Sequence, residues 1–434
     1  MARLELILTD RAARVRRTRA RNALLGLLLI GGGVALVPTG VWTPGPATVS
    51  ARLTSPSPGS RHDRSHAITR RLLAHVPAIY AYGAGNALVM GSADSVVVQS
   101  LLARGLVATV EPTHPAASSS DLPRPADTAF DLILGEMPRQ GTSDADLRHA
   151  RAFLETADGR LNPHGVLGIR IPLRGRSGSE MRVLLAMVMD AFPRVHAWQG
   201  DHQSLILVAG RDPLRFDYMN LQAAMAGRPG RDLAVAEIHD EAQLLNYFIT
   251  DRSGLTEYVE SANATAAWGA ASPDQHPDLA SNSGKPFTLL DLATVWRRPM
   301  DMAVNHEHVP GLAVEIDRYR KARYLTYRVT LGGELPAGES AAVDALELAL
   351  MFAPDELQTR EALGKLLLTE ARMARDAGDP ETAREFLDRA REVAPRGLRE
   401  LAELHLDALA GAGLPNDPGA PAEPVKTAVL ASAP

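Results

Sequence analysis

Between residues 86 and 210, short apolar runs alternate with longer stretches whose apolar positions recur every three or four residues. NALVM (86–90), the run ending at Glu111, AFDLILG (129–135), GVLGIRI (165–171), RVHAW (194–198) and SLILVAG (204–210) have the length and aliphatic content of strands buried on both faces. Between them, DADLRHARAFLETA and SGSEMRVLLAMVMDAF carry helical periodicity. Strand alternating with helix predicts an α/β domain: a mainly parallel sheet covered on both faces. RVHAW and SLILVAG, joined through QGDHQ, are expected to form a hairpin at one edge of that sheet.

The flanking pattern predicts further elements. SHAITRRLLAHVPAIYA reads as a helix with Ser65 as its cap and Leu72, Leu73 and Val76 on one face. Residues 211–335 are mixed. DEAQLLNYFI and GLTEYVESA read as short helices, and RYLTYRVTL as a strand. In the last hundred residues, Ala342, Leu346, Ala349 and Pro354 recur with the same spacing as Ala383, Leu387, Ala390 and Pro395, 41 positions on. Small residues where paired helices approach, followed by a proline that stops the second helix, resemble the second half of a tetratricopeptide unit. Two unrelated alanine-rich helices are the alternative. The Pro- and Ala-rich stretch 412–434 is expected to be a disordered tail.

The N-terminal pattern adds a membrane. A basic segment, 1–22, holds six arginines between 11 and 21, and residues 23–42 carry no charge at all. Roughly 20 apolar residues suffice to cross a bilayer as a helix. The expectation is a single-pass transmembrane helix in the inner (cytoplasmic) membrane, rather than a signal peptide. The arginines would keep the N-terminus cytoplasmic and send the bulk of the chain to the outer, periplasmic face. Residues 43–64 read as a linker, 65–335 as the α/β domain with its core in 65–210, and 336–411 as the repeat-like helices. Net charge is −5 and cysteine is absent, so no basic field recruits nucleic acid and no thiolate metal site or disulfide exists. His306, Glu307 and His308 lack metal-ligand spacing, GRSGS (175–179) lacks the end of a phosphate loop, and no G-x-S-x-G elbow occurs. No metal is expected.

Strand, turn, helix, strand and a terminal acid, over 86–111, outline a cofactor-binding unit. Several stretches of residues 65–290 resemble the spermidine synthase family, in particular its membrane-fused bacterial branch: LLAHVP, NALVMGSAD, FDLILGEMP, LNPHGVLGIRIPL and LLNYFITDRSGL. The resemblance implies the methyltransferase-like variant of a Rossmann sheet. It also implies transfer of an aminopropyl group from decarboxylated S-adenosylmethionine to an amine such as putrescine. On that resemblance Gly91 and Asp94 belong to the cofactor turn, Glu111 faces the ribose, and Glu136 is the base that takes a proton from the attacking nitrogen.

The chain also departs from the family. Ser92, Ala93 and Ser95 stand where glycines would let the backbone approach a ligand. Only 18 residues, without an apolar strand, separate Glu111 from Phe130, so the third strand and its adenine-binding acid are expected to be missing. Arg139 replaces a second loop aspartate, Thr69 and Arg71 stand where a tyrosine and a glutamate would be, and SNSGKP (281–286) lacks two aspartates. An arginine facing a polyamine ammonium would repel it. The sequence therefore predicts a degenerate, non-catalytic site that uses no cofactor, in a membrane-anchored scaffold or accessory subunit. Its protein partners would bind through 336–411 and the α/β domain. The alternatives are an active transferase acting on a polyamine, with decarboxylated S-adenosylmethionine as co-substrate, and a sensor that binds polyamine without turnover.

Overall fold

The structure, a computed structural model, describes residues 61–81, 83–91, 95–111, 129–137, 144–201, 203–260, 287–307, 309–331 and 341–412. The expected membrane helix, most of the linker, Asp94, Arg139, His308, the SNSGKP segment and the tail lie outside them, as does most of the stretch where a third strand was expected to be missing. No helix among the described residues is long and apolar enough to cross a membrane.

Helix α1 (Arg61–Ala78) leads into β1 (Asn86–Met90), α2 (Ser95–Ala103), β2 (Val107–Glu111), β3 (Phe130–Glu136), α3 (Asp144–Arg160), β4 (Leu161–Pro172), α4 (Gly178–Ala191), β5 (Arg194–Gln199) and β6 (Ser204–Gly210). These strands and β8 (Phe248–Asp251) form one seven-stranded sheet in the order β2-β1-β3-β4-β6-β5-β8. The strands from β2 to β4 run parallel, whereas β6 is antiparallel to both β4 and β5. The core sits on both sheet faces because successive side chains alternate: Ala87 and Val89 join one cluster, Leu88 and Met90 the other. Helix α1 covers the first face so closely that a Cβ on Gly168 would lie 2.5 Å from the Pro77 ring.

Four expectations change. Helix α1 begins at Arg61, so Ser65 is inside it and not its cap. DEAQLLNYFI is helical only as α7 (Glu241–Leu245), and then enters β8, which pairs antiparallel with β5. The β5–β6 hairpin is therefore not the edge. RYLTYRVTL lies in α9 (Leu312–Thr330), whose buried positions Ile316, Tyr319, Ala322, Arg323, Thr326 and Tyr327 recur at helical spacing. Its aromatic and β-branched content misled a reading of the last nine residues alone.

The remaining helices are α5 (Tyr218–Ala226), α6 (Arg228–Ala234), α8 (Arg252–Glu260), α10 (Ala341–Phe352), α11 (Leu357–Asp376), α12 (Pro380–Val393) and α13 (Arg396–Ala412). Two short 3-10 helices (Leu289–Val295 and Pro299–Met302) and a small β7–β9 pairing (Phe216–Asp217 with Ala303–Val304) complete the described elements. Leu346, Ala349, Ala383, Leu387, Ala390 and Pro395, six of the eight recurring positions, are buried.

Candidate active site

The connectivity locates a crevice. From β1 the chain crosses to β2 on one side, whereas β3 pairs with β1 on the other, so the strand order reverses between β1 and β3. In open α/β sheets the gap beyond the C-terminal ends of two such strands is where ligands bind. Gly91 leaves β1 there with φ +122°, a conformation that side-chain-bearing residues rarely adopt. Glu111 ends β2 in register with Met90. Glu136 ends β3 in register with Arg170 of β4. Gly91, Glu111 and Glu136 thus come to the same rim.

What faces Glu136 was not anticipated. Strand alternation puts Glu136 and Arg170 on the face that α1 covers, and Arg170 Nη1 forms an ion pair with Glu136 Oε1 at 2.9 Å. Arg170 is 8% exposed, whereas the Glu136 side chain is 36% exposed. The assigned base therefore has one oxygen engaged by a buried guanidinium. Farther along the same face, Thr69 Oγ1 of α1 meets Ser204 Oγ of β6 at 3.1 Å, and Ser204 donates to Asp201 Oδ1 at 2.8 Å. A Cβ on Gly200 would overlap Ser204 Oγ at 2.3 Å and Thr69 Cγ2 at 2.9 Å, so this part of the rim is filled.

Arg71 is not the repulsive charge in the cleft that the sequence suggested. Its Nε donates to Asp232 Oδ1 of α6 at 3.1 Å. Asp232 Oδ2 is also 2.8 Å from His75 Nε2 and accepts from Ser100 Oγ at 2.5 Å. Arg104 Nε donates to His75 Nδ1 at 3.0 Å, which leaves Nε2 as the protonated nitrogen that donates to Asp232. Burial, aided by the two arginine charges, lowers the His75 pKa to about 4, against the opposing effect of Asp232. Burial pushes Asp232 upward, yet the hydrogen bonds from His75 and Ser100 and the nearby charges bring it down to about 2. The His-x-Pro segment thus anchors α1 to α2 and α6 and presents nothing to the crevice.

Among the described residues no cluster of three or more potential metal ligands occurs, and His306 and Glu307 lie in the connection between β9 and α9. Sequence reasoning missed Arg170, Ser204 and Asp232. A lone arginine within the apolar run GVLGIRI was a signal for the first; nothing marked the other two.

The sheet is Rossmann-like, of the methyltransferase type. Neither a family model nor a curated protein matches the sequence. Solved structures with a similar sheet include phosphoethanolamine N-methyltransferase 2 of Haemonchus contortus, in complex with phosphomonomethylethanolamine and S-adenosylhomocysteine (14% identity, 33% of this chain and 37% of that one, TM-score 0.25). Human methyltransferase-like protein 13 in complex with S-adenosylhomocysteine is another (16% identity, 41% and 93%, TM-score 0.26). A third is the sugar N-methyltransferase KedS8 of Streptoalloteichus (14% identity, 42% and 100%, TM-score 0.26). The chain spans about a third of the length of the first of these. The likeness is confined to the fold. Two of these structures hold an S-adenosyl compound, which runs against the expectation of no cofactor drawn from the sequence.

Proposed function

We propose that the α/β domain binds an S-adenosyl compound at the β1/β3 crevice but does not pass an aminopropyl group to a polyamine, and that the protein serves as a membrane-anchored accessory subunit. Gly91 and Glu111 would hold the adenosyl ligand: the first by admitting it close to the backbone, the second through its carboxylate. Such a ligand, when reactive, supplies an electrophilic carbon beside its sulfonium.

The observation that carries this reading is the Glu136–Arg170 pair. Aminopropyl transfer needs a carboxylate to take a proton from the amine, since only a neutral amine is nucleophilic. Here that carboxylate is engaged, and an incoming diammonium would meet the buried cation that engages it. Two like charges about 4 Å apart cost about 1 kcal/mol in water and about 4 kcal/mol at the effective dielectric of a protein surface. The filled Thr69–Ser204–Asp201 rim adds a steric obstacle. The accessory role rests on the uncharged segment 23–42 and on the helices after residue 341.

The test is a thermal titration of the full chain in mild detergent with S-adenosylhomocysteine, decarboxylated S-adenosylmethionine and putrescine. A saturable rise with S-adenosylhomocysteine is expected, since a ligand at 100 times its Kd adds about 2.7 kcal/mol. Putrescine alone should give none, and the two substrates together should release no 5′-methylthioadenosine. Absence of any adenosyl shift sinks the binding half of the proposal; release of the thioether sinks the other half.

A further inference from the structure

The C-terminal helices carry two surfaces of matching length and opposite character. The first is a groove of about 880 Å³ between α11 and α13. Short connections, 377–379 and 394–395, fold α11, α12 and α13 back and forth, so α11 and α13 run in the same direction with α12 between them. A Cβ on Gly364 would lie 2.8 Å from the Ala394 side chain and 3.4 Å from Leu398, which shows how closely the start of α13 approaches α11. Leu368, Leu387, Leu398 and Leu401 line the groove, and Met373, 61% exposed, stands at its lip. Lys365, Arg372 and Arg375 outnumber the carboxylates they pair with in the same chain, Glu361 and Asp376, so the lip keeps a net positive charge. From Lys365 to Asp376, at 1.5 Å per helical residue, it extends about 16 Å.

The second surface is the outer face of α10. Its inner positions Leu346 and Ala349 are buried. On the opposite side Asp344, Glu347, Leu348 and Met351 recur at helical spacing, with Leu348 44% and Met351 69% exposed. Glu347 also reaches Arg389 of α12 within the same chain. The twelve residues of α10 span about 18 Å. It is an apolar ridge flanked by carboxylates, the complement of an apolar groove flanked by cations.

We propose that the occupant of the α11/α13 groove is helix α10 of a second copy of this chain. Leu348 and Met351 seat among the groove leucines, and Asp344 and Glu347 face Lys365, Arg372 and Arg375. The two surfaces differ, so the contact either closes reciprocally as a two-fold dimer or leaves one ridge and one groove open on each assembly, and association then continues beyond a dimer. A contact with two apolar anchors is at the small end of specific interfaces, so self-association sets in at micromolar concentration or above, and salt weakens it. The inference does not depend on what the β1/β3 crevice binds.

Sedimentation velocity of the full chain in mild detergent, with the detergent density-matched, tests it from about 1 to 200 µM. The wild type should sediment as a concentration-dependent series. Met351→Glu removes the ridge and Met373→Glu the groove lip; both residues are exposed, and an unchanged melting temperature confirms that each variant folds. Each variant alone should associate about 30-fold or more weakly, the size expected for loss of an anchor. Mixed in equal amounts, they should form a 1:1 heterodimer and stop there, because one intact ridge meets one intact groove. A monomeric wild type across the range, or a mixture that associates no better than its parts, would overturn the proposal.

Discussion

Individual residues set the pH response and the chemistry of the rim. His75 and His196 are held neutral in the fold, both lowered to about 4, chiefly by burial. Above about pH 7 they are uncharged in folded and unfolded chains alike and cost nothing. As pH falls from 6.5 towards 4 the unfolded chain takes up both protons and the folded one does not, so stability declines, by about 3 kcal/mol for each histidine. Urea melts from pH 8 to 4 should be flat at first and then fall, and His196→Phe should show about half the slope. Asp232 works at lower pH: its stabilisation is present above about 4 and fades towards 2. At the rim, Arg170→Met removes the buried cation beside Glu136. Because Glu136 is partly solvated, a loss of about 1–2 kcal/mol is expected, seen as a lower urea midpoint at unchanged slope. The sequence placed Gly91, Glu111 and Glu136 at strand ends because alternating strand and helix already imply where the ends lie. It could not place Arg170 beside Glu136, since that contact depends on the β3–β4 register.

At the scale of elements, apolar runs identified β1, β3, β5 and β6 nearly to the residue and the C-terminal part of β4, because a strand buried on both faces leaves a continuous hydrophobic signature. β8 escaped detection: four residues following a helical turn are too short for a period to declare itself, and only pairing with β5 makes them a strand. The seating of α1 on β4 was likewise invisible. Gly168 is required there because the Pro77 ring occupies the space of a side chain and cannot rotate away. Gly168→Ala should cost about 1–3 kcal/mol by overpacking, whereas Gly83→Ala, with open space but φ +78°, should cost only its backbone strain of about 1 kcal/mol. Thermal melts of the two variants distinguish steric from conformational need.

For the whole molecule, side-chain contacts tie the helices after residue 341 to the sheet. The described residues beyond 56 belong to one compact unit. Helix α9 contributes Ile316 and Tyr319 to one sheet-face cluster and Tyr327 to the other. Arg323 donates to the Asn246 carbonyl at 2.7 Å and pairs with Glu356 at the start of α11 at 3.0 Å, with both side chains 3% exposed. Gln199 at the end of β5 donates to Gln358 at 3.1 Å. The helices after 341 are thus bolted to the rim of the sheet. Breaking a buried pair strands a charge, so Arg323→Met should cost about 3–5 kcal/mol. Circular dichroism and tryptophan fluorescence, coincident in the wild-type urea transition, should separate in the single variant.

The sequence by itself determined the α/β class, most of the strands, the helices that follow residue 341 and the strand ends where a ligand would lie, because each is written in local periodicity or in strand order. Only the tertiary structure decided that Arg71 faces Asp232 rather than the crevice, that Glu136 is met by Arg170, and that the C-terminal helices share a core with the sheet. Those are contacts between residues 33 to 161 positions apart. Side-chain charge is legible in a sequence; the charge that faces it is set by packing.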